Sequence, residues 1–448
     1  MEKCDYFVIG GGSGGVRSAR IASQLGAKVI LAEKGDLGGT CVNVGCIPKK
    51  LFSYAAGFKR EFKMAANYGW LIDDKQTFNW TSFIAHKNKE ISRLNNIYQK
   101  ILDTANVKVL RGAAKFLSNE VISVAGKEYL AKHTLIATGG VARKLNIPNE
   151  GLSVNSDQIF YLDKLPNKIL IVGGGYIATE FASIFNGFGA EVHISYRKNI
   201  YLQGFDMDIR LKIQEIMKGQ GIKFRYNTNL KSLAMVDGLI KASFDDHSQD
   251  VYDKVLLAVG RDINIEGLGL ANTLVKVGPN GKIIVDQNMA TTDDKIFAVG
   301  DVSSPLDLTP VAIKEGMHLA NRLFGDGKGK LEKINYDQVP SAVFTHPNIA
   351  TVGLSEDEAR ARGIKIKVYR SNFVPMKIGF AGDKEECLIK MVTSAKDDKI
   401  LGLHLIGDDT PEIMQGFAVA ISLGATKDDL AKVVGIHPTL AEEVVTMN

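Results

Sequence analysis

Apolar residues along the chain fall into runs of three kinds. Short, nearly continuous runs that end in glycine lie at Cys4–Gly10, Leu135–Gly140, Lys168–Gly173 and Ile296–Gly300. Each predicts a strand ending at the rim of a sheet. Runs of helical period follow: Val16, Ala19, Ala22 and Leu25 share one side of a helix that continues through Leu25, and Ile84, Ile91, Leu94, Tyr98 and Ile101 form a second stripe. Lys28 to Glu33 and Glu191 to Tyr196 are strands, the latter after a helix that runs through Phe188. The third kind is a helix opened by Pro411 and apolar nearly all round, through Ile413, Met414, Phe417, Val419 and Ile421. Such a helix is deep core or an interface. The polar, glycine-rich stretch Gly325-Asp326-Gly327-Lys328-Gly329-Lys330 marks a boundary before it.

Two of the strands enter glycine-rich turns. Gly10-Gly11-Gly12-Ser13-Gly14-Gly15 is a G-x-G-x-x-G turn with a strand before it, a helix after it and an acid, Glu33, ending the next strand. These glycines allow a tight turn, close approach to a pyrophosphate and helix–sheet contact, while the acid accepts from ribose hydroxyls. The pattern recurs at Gly173-Gly174-Gly175-Tyr176-Ile177-Ala178, where alanine replaces the third glycine and the following strand ends in Arg197 and Lys198 rather than an acid. Those cations are either solvated surface charges or a site for a 2′-phosphate. Two dinucleotide folds imply two cofactors, and the expectation is FAD at the first and NADP at the second. Asp301, at the end of a short apolar strand, suits a ribityl hydroxyl.

At 448 residues the chain exceeds one core and predicts two to four domains. Hydrophobic residues make up 45% and charged residues 23%, and the net charge of +5, from 55 basic against 50 acidic residues, is too mild to argue for nucleic acid. No apolar run reaches membrane-spanning length, and a strand begins almost at the N-terminus, so a cytoplasmic protein is expected. The four cysteines, Cys4, Cys41, Cys46 and Cys387, form neither a disulfide scaffold nor a zinc pattern. Cys41 and Cys46 stand five apart behind the pair Gly38-Gly39. On an ideal helix their Cα atoms would be roughly 8–9 Å apart, against about 4.4–6.8 Å for a disulfide. Pairing therefore needs a distorted turn, which Pro48 assists because it cannot bond the Val44 carbonyl. Two readings stand: buried cysteines on a core helix, or a redox-active dithiol facing a flavin.

With these residues assembled, the chain resembles the FAD-dependent pyridine nucleotide–disulfide oxidoreductases over its whole length. The segment Cys41-Val42-Asn43-Val44-Gly45-Cys46 and the C-terminal His437-Pro438-Thr439-Leu440-Ala441-Glu442-Glu443 carry the resemblance. The stretches Ser92–Tyr98 and Met414–Ala420 point within it to members acting on glutathione disulfide. The resemblance implies an α/β fold with two Rossmann-like domains and an α+β C-terminal dimerisation domain. The regions would be residues 1–150 for FAD, 151–285 for NADP, 286–335 completing the FAD site and 336–448 for dimerisation. It implies NADPH-dependent reduction of a small disulfide by a homodimer. Cys46 would lie next to the flavin and Cys41 would attack the substrate. His437, oriented by Glu442 and supplied by the second subunit, would be the acid–base, and Lys49 and Glu180 an ion pair at the flavin.

By the same resemblance, FAD would be held by Gly12, Ser13, Gly14, Glu33, Lys34, Thr40, Ala114, Thr138, Asp301 and Thr309, with Gly10, Gly15, Gly39 and Gly139 shaping the turns. NADP would be held by Gly173, Gly175, Tyr176, Ile177, Ala178, Glu180, Arg197, Lys198, Gly260 and Arg261. Arg20 would meet a substrate carboxylate, with Arg17 as an added cation beside it. Tyr98 is either a core aromatic or a wall of the disulfide pocket. Gln203 stands where members carry a second arginine for the 2′-phosphate, and Met317 where many carry an arginine for the substrate. A cationic pocket disfavours the spermidine-bearing trypanothione. Tyr196 stands where dihydrolipoamide dehydrogenases have an acid. The chain stops soon after the His/Glu motif, without the further cysteines of thioredoxin and mercuric reductases. A flavin-binding protein without turnover would be signalled by loss of Cys41, Cys46, His437 or Glu442, and all four are present.

Overall fold

Continuous apolar runs form parallel strands because both faces of such a sheet are covered. The computed structural model describes residues 1–73, 77–326 and 333–447, so residues 327–330 of the expected boundary lie outside the described residues. They divide into two units. The first comprises residues 1–49, 81–143 and 261–336. Its parallel strands run in the order Lys108–Arg111, Val29–Glu33, Glu2–Ile9, Lys127–Ile136 and Ile296–Ala298. The long Lys127–Ile136 strand also pairs antiparallel with Val121–Val124, which pairs with Ala114–Phe116. Tyr6, Phe7 and Val8 are fully buried.

The helix Ser13–Gln24 buries Val16, Ala19 and Ala22 as its periodicity predicts. Leu25, expected on the same side, instead caps the helix and is 40% exposed, because the chain turns away at Gly26 with φ of +93°. This helix packs closely against Thr309–Phe324: a Cβ at Gly316 would lie 2.6 Å from the Gly14 carbonyl oxygen. The crossing brings the start of the second helix near the first glycine turn.

The second unit comprises residues 50–80, 144–260 and those from 337 onward. It repeats the parallel arrangement, in the order Lys223–Tyr226, Glu191–Tyr196, Lys168–Val172, Lys254–Leu257 and Val154–Asn155. An antiparallel trio, Leu230–Val236, Leu239–Phe244 and Gln249–Tyr252, lies between strands of that sheet in sequence. A C-terminal antiparallel sheet follows, ordered Ser341–Val343, Asn348–Gly353, Ile400–Gly407, Cys387–Ser394 and Ile366–Phe373. The helix Thr410–Ser422 sets Met414, Ala418 and Ile421 into its core. It is not buried all round: Val419 is 56% exposed.

The units divide the chain differently from contiguous boundaries at 150, 285 and 335. Residues 261–336 return to the first unit because Arg261–Ile263 pairs with Gly140–Ala142 and Ile296–Ala298 with Thr134–Ile136. Among the described residues, no helix is long and apolar enough to cross a membrane.

Candidate active site

The first glycine turn is built by contact. Gly10 has φ of +112°, and a Cβ there would lie 2.3 Å from the Ala137 carbonyl oxygen. At Gly15 it would lie 1.9 Å from the Gly10 carbonyl oxygen, and at Gly39, with φ of +60°, 2.7 Å from the Gly12 Cα. Gly12 differs: its Cβ would meet only the Gly39 Cα, at 3.8 Å. Backbone is thus exposed to a ligand at the start of the helix Ser13–Gln24, which has no side-chain cap. Glu33 ends its strand with Oε2 accepting from Gly11 N at 2.6 Å and Oε1 from Gly35 N at 2.7 Å. Each oxygen keeps a lone pair for a ribose hydroxyl. Lys34 is exposed beside it, and Ala114 is buried.

Polar groups needing partners line the same unit. Thr138 Oγ1 is buried without a hydrogen-bond partner among the described residues. Burial, then the nearby Asp307, pushes the Asp301 carboxyl above its ordinary range, although Arg261 pulls the other way. Gly139 has φ of +68°, which turns the chain at the rim. This donor and acceptor set fits a dinucleotide with a polyhydroxyl chain, so Gly12, Ser13, Glu33, Thr138 and Asp301 can hold FAD. Arg261 donates to Gly140 O at 2.6 Å and to Thr40 Oγ1 at 3.4 Å. Both partners lie in the first unit, whereas the resemblance gave Arg261 to the second cofactor.

The dithiol sits at a broken helix. Gly39–Val44 carries Cys41 and ends at Gly45, and Cys46 starts the helix Cys46–Ala65. Gly45, not Pro48 alone, makes the break: its φ of −145° and ψ of −120° leave the helical region, and a Cβ there would lie 2.7 Å from the Thr40 carbonyl oxygen. Pro48 falls in the new first turn, where its missing N–H is no loss. Both cysteines are free thiols, so the expected disulfide is described in its open form. Hydrogen bonding to the Cys46 thiol, then burial, pushes the Cys41 thiol far above its ordinary range. Cys46 Sγ lies 3.7 Å from Thr309 Oγ1, at the start of Thr309–Phe324. Two helix N-termini thus meet at Cys46. Thr309 serves the sulfurs directly.

The second turn repeats the first. Gly173, with φ of +141°, would place a Cβ 2.2 Å from the Ala258 carbonyl oxygen, whereas Gly175 faces open space at the start of Tyr176–Gly187. Ala178 is fully buried, so a methyl fits where the first turn has its third glycine. The Tyr196 ring lies over Gly174, 2.3 Å from its would-be Cβ. Arg197 and Lys198 are exposed at the strand end, and Lys198 Nζ donates to Gln203 Oε1 at 2.7 Å. Gln203 therefore orients the lysine rather than adding charge. Tyr176 is exposed, and Ile177 follows it on the helix. Glu180 is buried and accepts from Phe344 N at 2.9 Å. Gly260 has φ of +116°. Lys49 lies in the first turn of Cys46–Ala65.

At the C-terminus His437 Nδ1 lies 3.0 and 3.1 Å from the two Glu442 oxygens. Glu442 Oε1 also accepts from Thr439 N, and Glu442 N donates back to Thr439 Oγ1. The carboxylate holds the ring and leaves Nε2 outward on a side chain that is 81% exposed. Tyr98 is half-buried; burial, then the Cys41 thiol, raises its phenol. It packs at the edge of the first unit's core, in line with the first of its two readings.

Sequence reasoning missed three residues. Asn43 donates to Gly39 O at 2.9 Å and accepts from Asn95 Nδ2 at 2.8 Å, which ties the redox turn to the helix Trp80–Thr104. Glu315, buried on Thr309–Phe324, accepts from Gly300 N and from the Tyr336 hydroxyl, each at 2.7 Å. An acid on an apolar helix face was its only signal.

Comparison with known proteins agrees with this geometry. Residues 4–316 match the family model described as pyridine nucleotide-disulphide oxidoreductase, and residues 339–448 its dimerisation domain. The chain is 42% identical to a glutathione reductase of Burkholderia cepacia, over 100% of this chain and 99% of that protein. It is 41% identical to the chloroplastic/mitochondrial glutathione reductase of Pisum sativum, over 99% of this chain and 82% of the relative. For the glutathione reductase of a Nostoc strain the identity is 40%, covering 99% of each.

Proposed function

Because the chain belongs to the pyridine nucleotide–disulphide oxidoreductase family, we propose that it is an FAD-dependent enzyme that uses NADPH to reduce glutathione disulfide to two glutathione molecules. The observation that carries this is the thiol pair brought together at the Gly45 break, beside a glycine cradle suited to FAD. Relatives named glutathione reductase, about as long as the chain and roughly 40% identical, support the substrate.

FAD, which Gly12, Ser13, Glu33, Thr138 and Asp301 would hold, would supply two-electron transfer between NADPH and the Cys41–Cys46 disulfide. The chain's own residues do the rest. The Cys41 thiolate attacks one sulfur of glutathione disulfide, forming a mixed disulfide and releasing one glutathione thiolate. The Cys46 thiolate then attacks Cys41 Sγ, releasing the second glutathione and restoring the Cys41–Cys46 bond. Since Cys46 and burial hold the Cys41 proton on, Cys41 needs a base. The partner subunit's His437 fills that role, taking the Cys41 proton and giving it to the first leaving thiolate, then passing a second proton, drawn from solvent, to the other. Glu442 holds its ring through Nδ1 and leaves Nε2 outward.

Lys49 and Glu180 tune the flavin, as the resemblance implies. The division into 1–150, 151–285, 286–335 and 336–448 is the functional one. A cytoplasmic setting, where thiols stay reduced, suits a catalytic dithiol.

The test is NADPH oxidation with glutathione disulfide as sole acceptor. Turnover is expected, and Cys41→Ser should abolish it while NADPH still bleaches the flavin. Bleaching without turnover in the unaltered protein would reject glutathione disulfide as the substrate.

A further inference from the structure

The strand Glu191–Tyr196 and the helix Met207–Gly219 are joined by residues 197–206, the loop that carries Arg197, Lys198 and Gln203. Its backbone is strained. Leu202 is fully buried with φ of +58°, a left-handed conformation that leucine seldom adopts. Strain of this kind persists only where the surroundings over-determine it. Leu202 N donates to Gly174 O in the second glycine turn at 2.6 Å. Arg210, on the helix, donates to Tyr201 O at 2.9 Å and to Ile200 O at 2.8 Å.

A further tie comes from the C-terminal sheet of the same unit. Asp206 ends the loop, is buried, and caps the helix through Oδ1, which accepts from Asp208 N at 3.0 Å. The same oxygen accepts from Lys390 Nζ at 2.8 Å, and Oδ2 accepts from Glu356 N at 3.1 Å. Lys390 stands on the strand Cys387–Ser394 and is itself buried. It also pairs with Asp208 at 2.8 Å and Glu356 at 2.9 Å. Arg370, opposite Lys390 on the next strand, bridges those two carboxylates. Burial pushes the Glu356 carboxyl up, but bonds from Lys390 and Arg360 outweigh it and bring it to about 2.

Stability alone does not account for such a cluster, because apolar replacements of a buried ionic network are often neutral or stabilising. What the network can add is a fixed register. Removing Lys390 would leave Asp206, Asp208 and Glu356 converging on an apolar hole, and their repulsion would displace Asp206 and the loop that it ends.

We infer that Lys390, acting through Asp206, is a positioning residue that holds the loop 197–206 in the shape that receives the 2′-phosphate of NADPH, and so strengthens the preference for NADPH over NADH. This rests on the reading of Arg197 and Lys198 as the 2′-phosphate site. The loop then owes its fit to a strand of the C-terminal sheet as well as to its own nucleotide fold.

The experiment titrates the holoenzyme with adenosine 2′,5′-bisphosphate by calorimetry, and measures the NADPH and NADH concentrations that half-saturate flavin bleaching. Lys390→Met should weaken the bisphosphate and NADPH about tenfold, as for one lost charge-assisted bond. Half-saturation by NADH and the limiting bleaching rate should not change. Asp206→Asn should act in the same direction, and the double variant should be no weaker than the weaker single one, because the two residues act as one pair. Lys390→Arg keeps the charge and should recover part of the affinity. Arg370→Gln, on the exposed side of the cluster, should weaken the bisphosphate about threefold and carries the test if thermal unfolding shows that Lys390→Met does not fold. Unchanged bisphosphate affinity in folded Lys390→Met, or in Arg370→Gln in its place, overturns the inference. Equal weakening of NADPH and NADH also overturns it, since the cluster would then only stabilise the fold. If Arg197→Gln combined with Lys198→Gln leaves bisphosphate binding intact, the 2′-phosphate reading has failed and the inference falls with it.

Discussion

A methyl group added to Gly45 would lie 2.7 Å from the Thr40 carbonyl oxygen and 3.2 Å from the Cys41 Cα. Both neighbours are backbone and cannot swing aside, so relief must come from opening the turn between the cysteines. Gly45→Ala is expected to cost on the order of 1–3 kcal/mol of stability and to slow re-formation of the Cys41–Cys46 bond. Urea unfolding and the rate of dithiol reoxidation would check both; a variant matching the unaltered chain in each would show that the break does not position the sulfurs. The other two cysteines behave differently. Burial pushes the Cys4 and Cys387 thiols each up to about 12. Iodoacetamide near pH 8 should therefore label the exposed Cys46 after reduction and spare Cys4 and Cys387 in the folded chain, as peptide mapping would show. Because the folded values lie above the unfolded one, the folded chain holds more protons in the window from about 9 to 12, and these thiols make stability fall as pH climbs through it.

The helices Ser13–Gln24 and Thr309–Phe324 meet where Gly316 faces Gly14, and the second of them begins at the thiols. Gly316→Val would force the helices apart against the Gly14 carbonyl oxygen, at a cost of about 2–3 kcal/mol, and would move Thr309 off Cys46. Lower flavin retention together with a lower midpoint of thermal unfolding is the expected result; unchanged values of both would reject the close crossing as a positioning device. Elements of this kind were partly legible in the chain. Continuous apolar runs became parallel strands, and the stripe through Ile91 and Tyr98 became the helix Trp80–Thr104, because periodicity is a local property. The Gly45 break was hidden since a helix of six residues shows less than two turns of pattern. Leu25 obeyed the period yet fell outside the core, because the cap geometry at Gly26 outranked it. Arg261 reaches Thr40 across 221 residues, a contact that no local pattern encodes.

In the C-terminal part of the chain Val434 is 92% exposed and Ile436 77% exposed, next to His437. Val419, on the helix Thr410–Ser422, and Leu423, which caps it, add apolar surface. Such a patch marks an interaction surface, and this segment is the family's dimerisation domain. A closed two-fold pairing would place each His437 at a surface it shares with the second copy. If the base indeed crosses to the other subunit, the Cys41→Ser and His437→Ala enzymes are each inactive alone but complement when their subunits exchange. One site of a hybrid dimer then carries both lesions and the other carries neither. Random exchange makes half of the dimers hybrids with one good site of two, so about a quarter of full glutathione disulfide turnover should return. Were each chain to use its own His437, every site in the mixture would keep one lesion and no activity would appear, provided sedimentation shows that the subunits have exchanged. Recovery therefore separates a shared site from two independent ones without a structure of the dimer, and its size reports how many functional sites each hybrid holds.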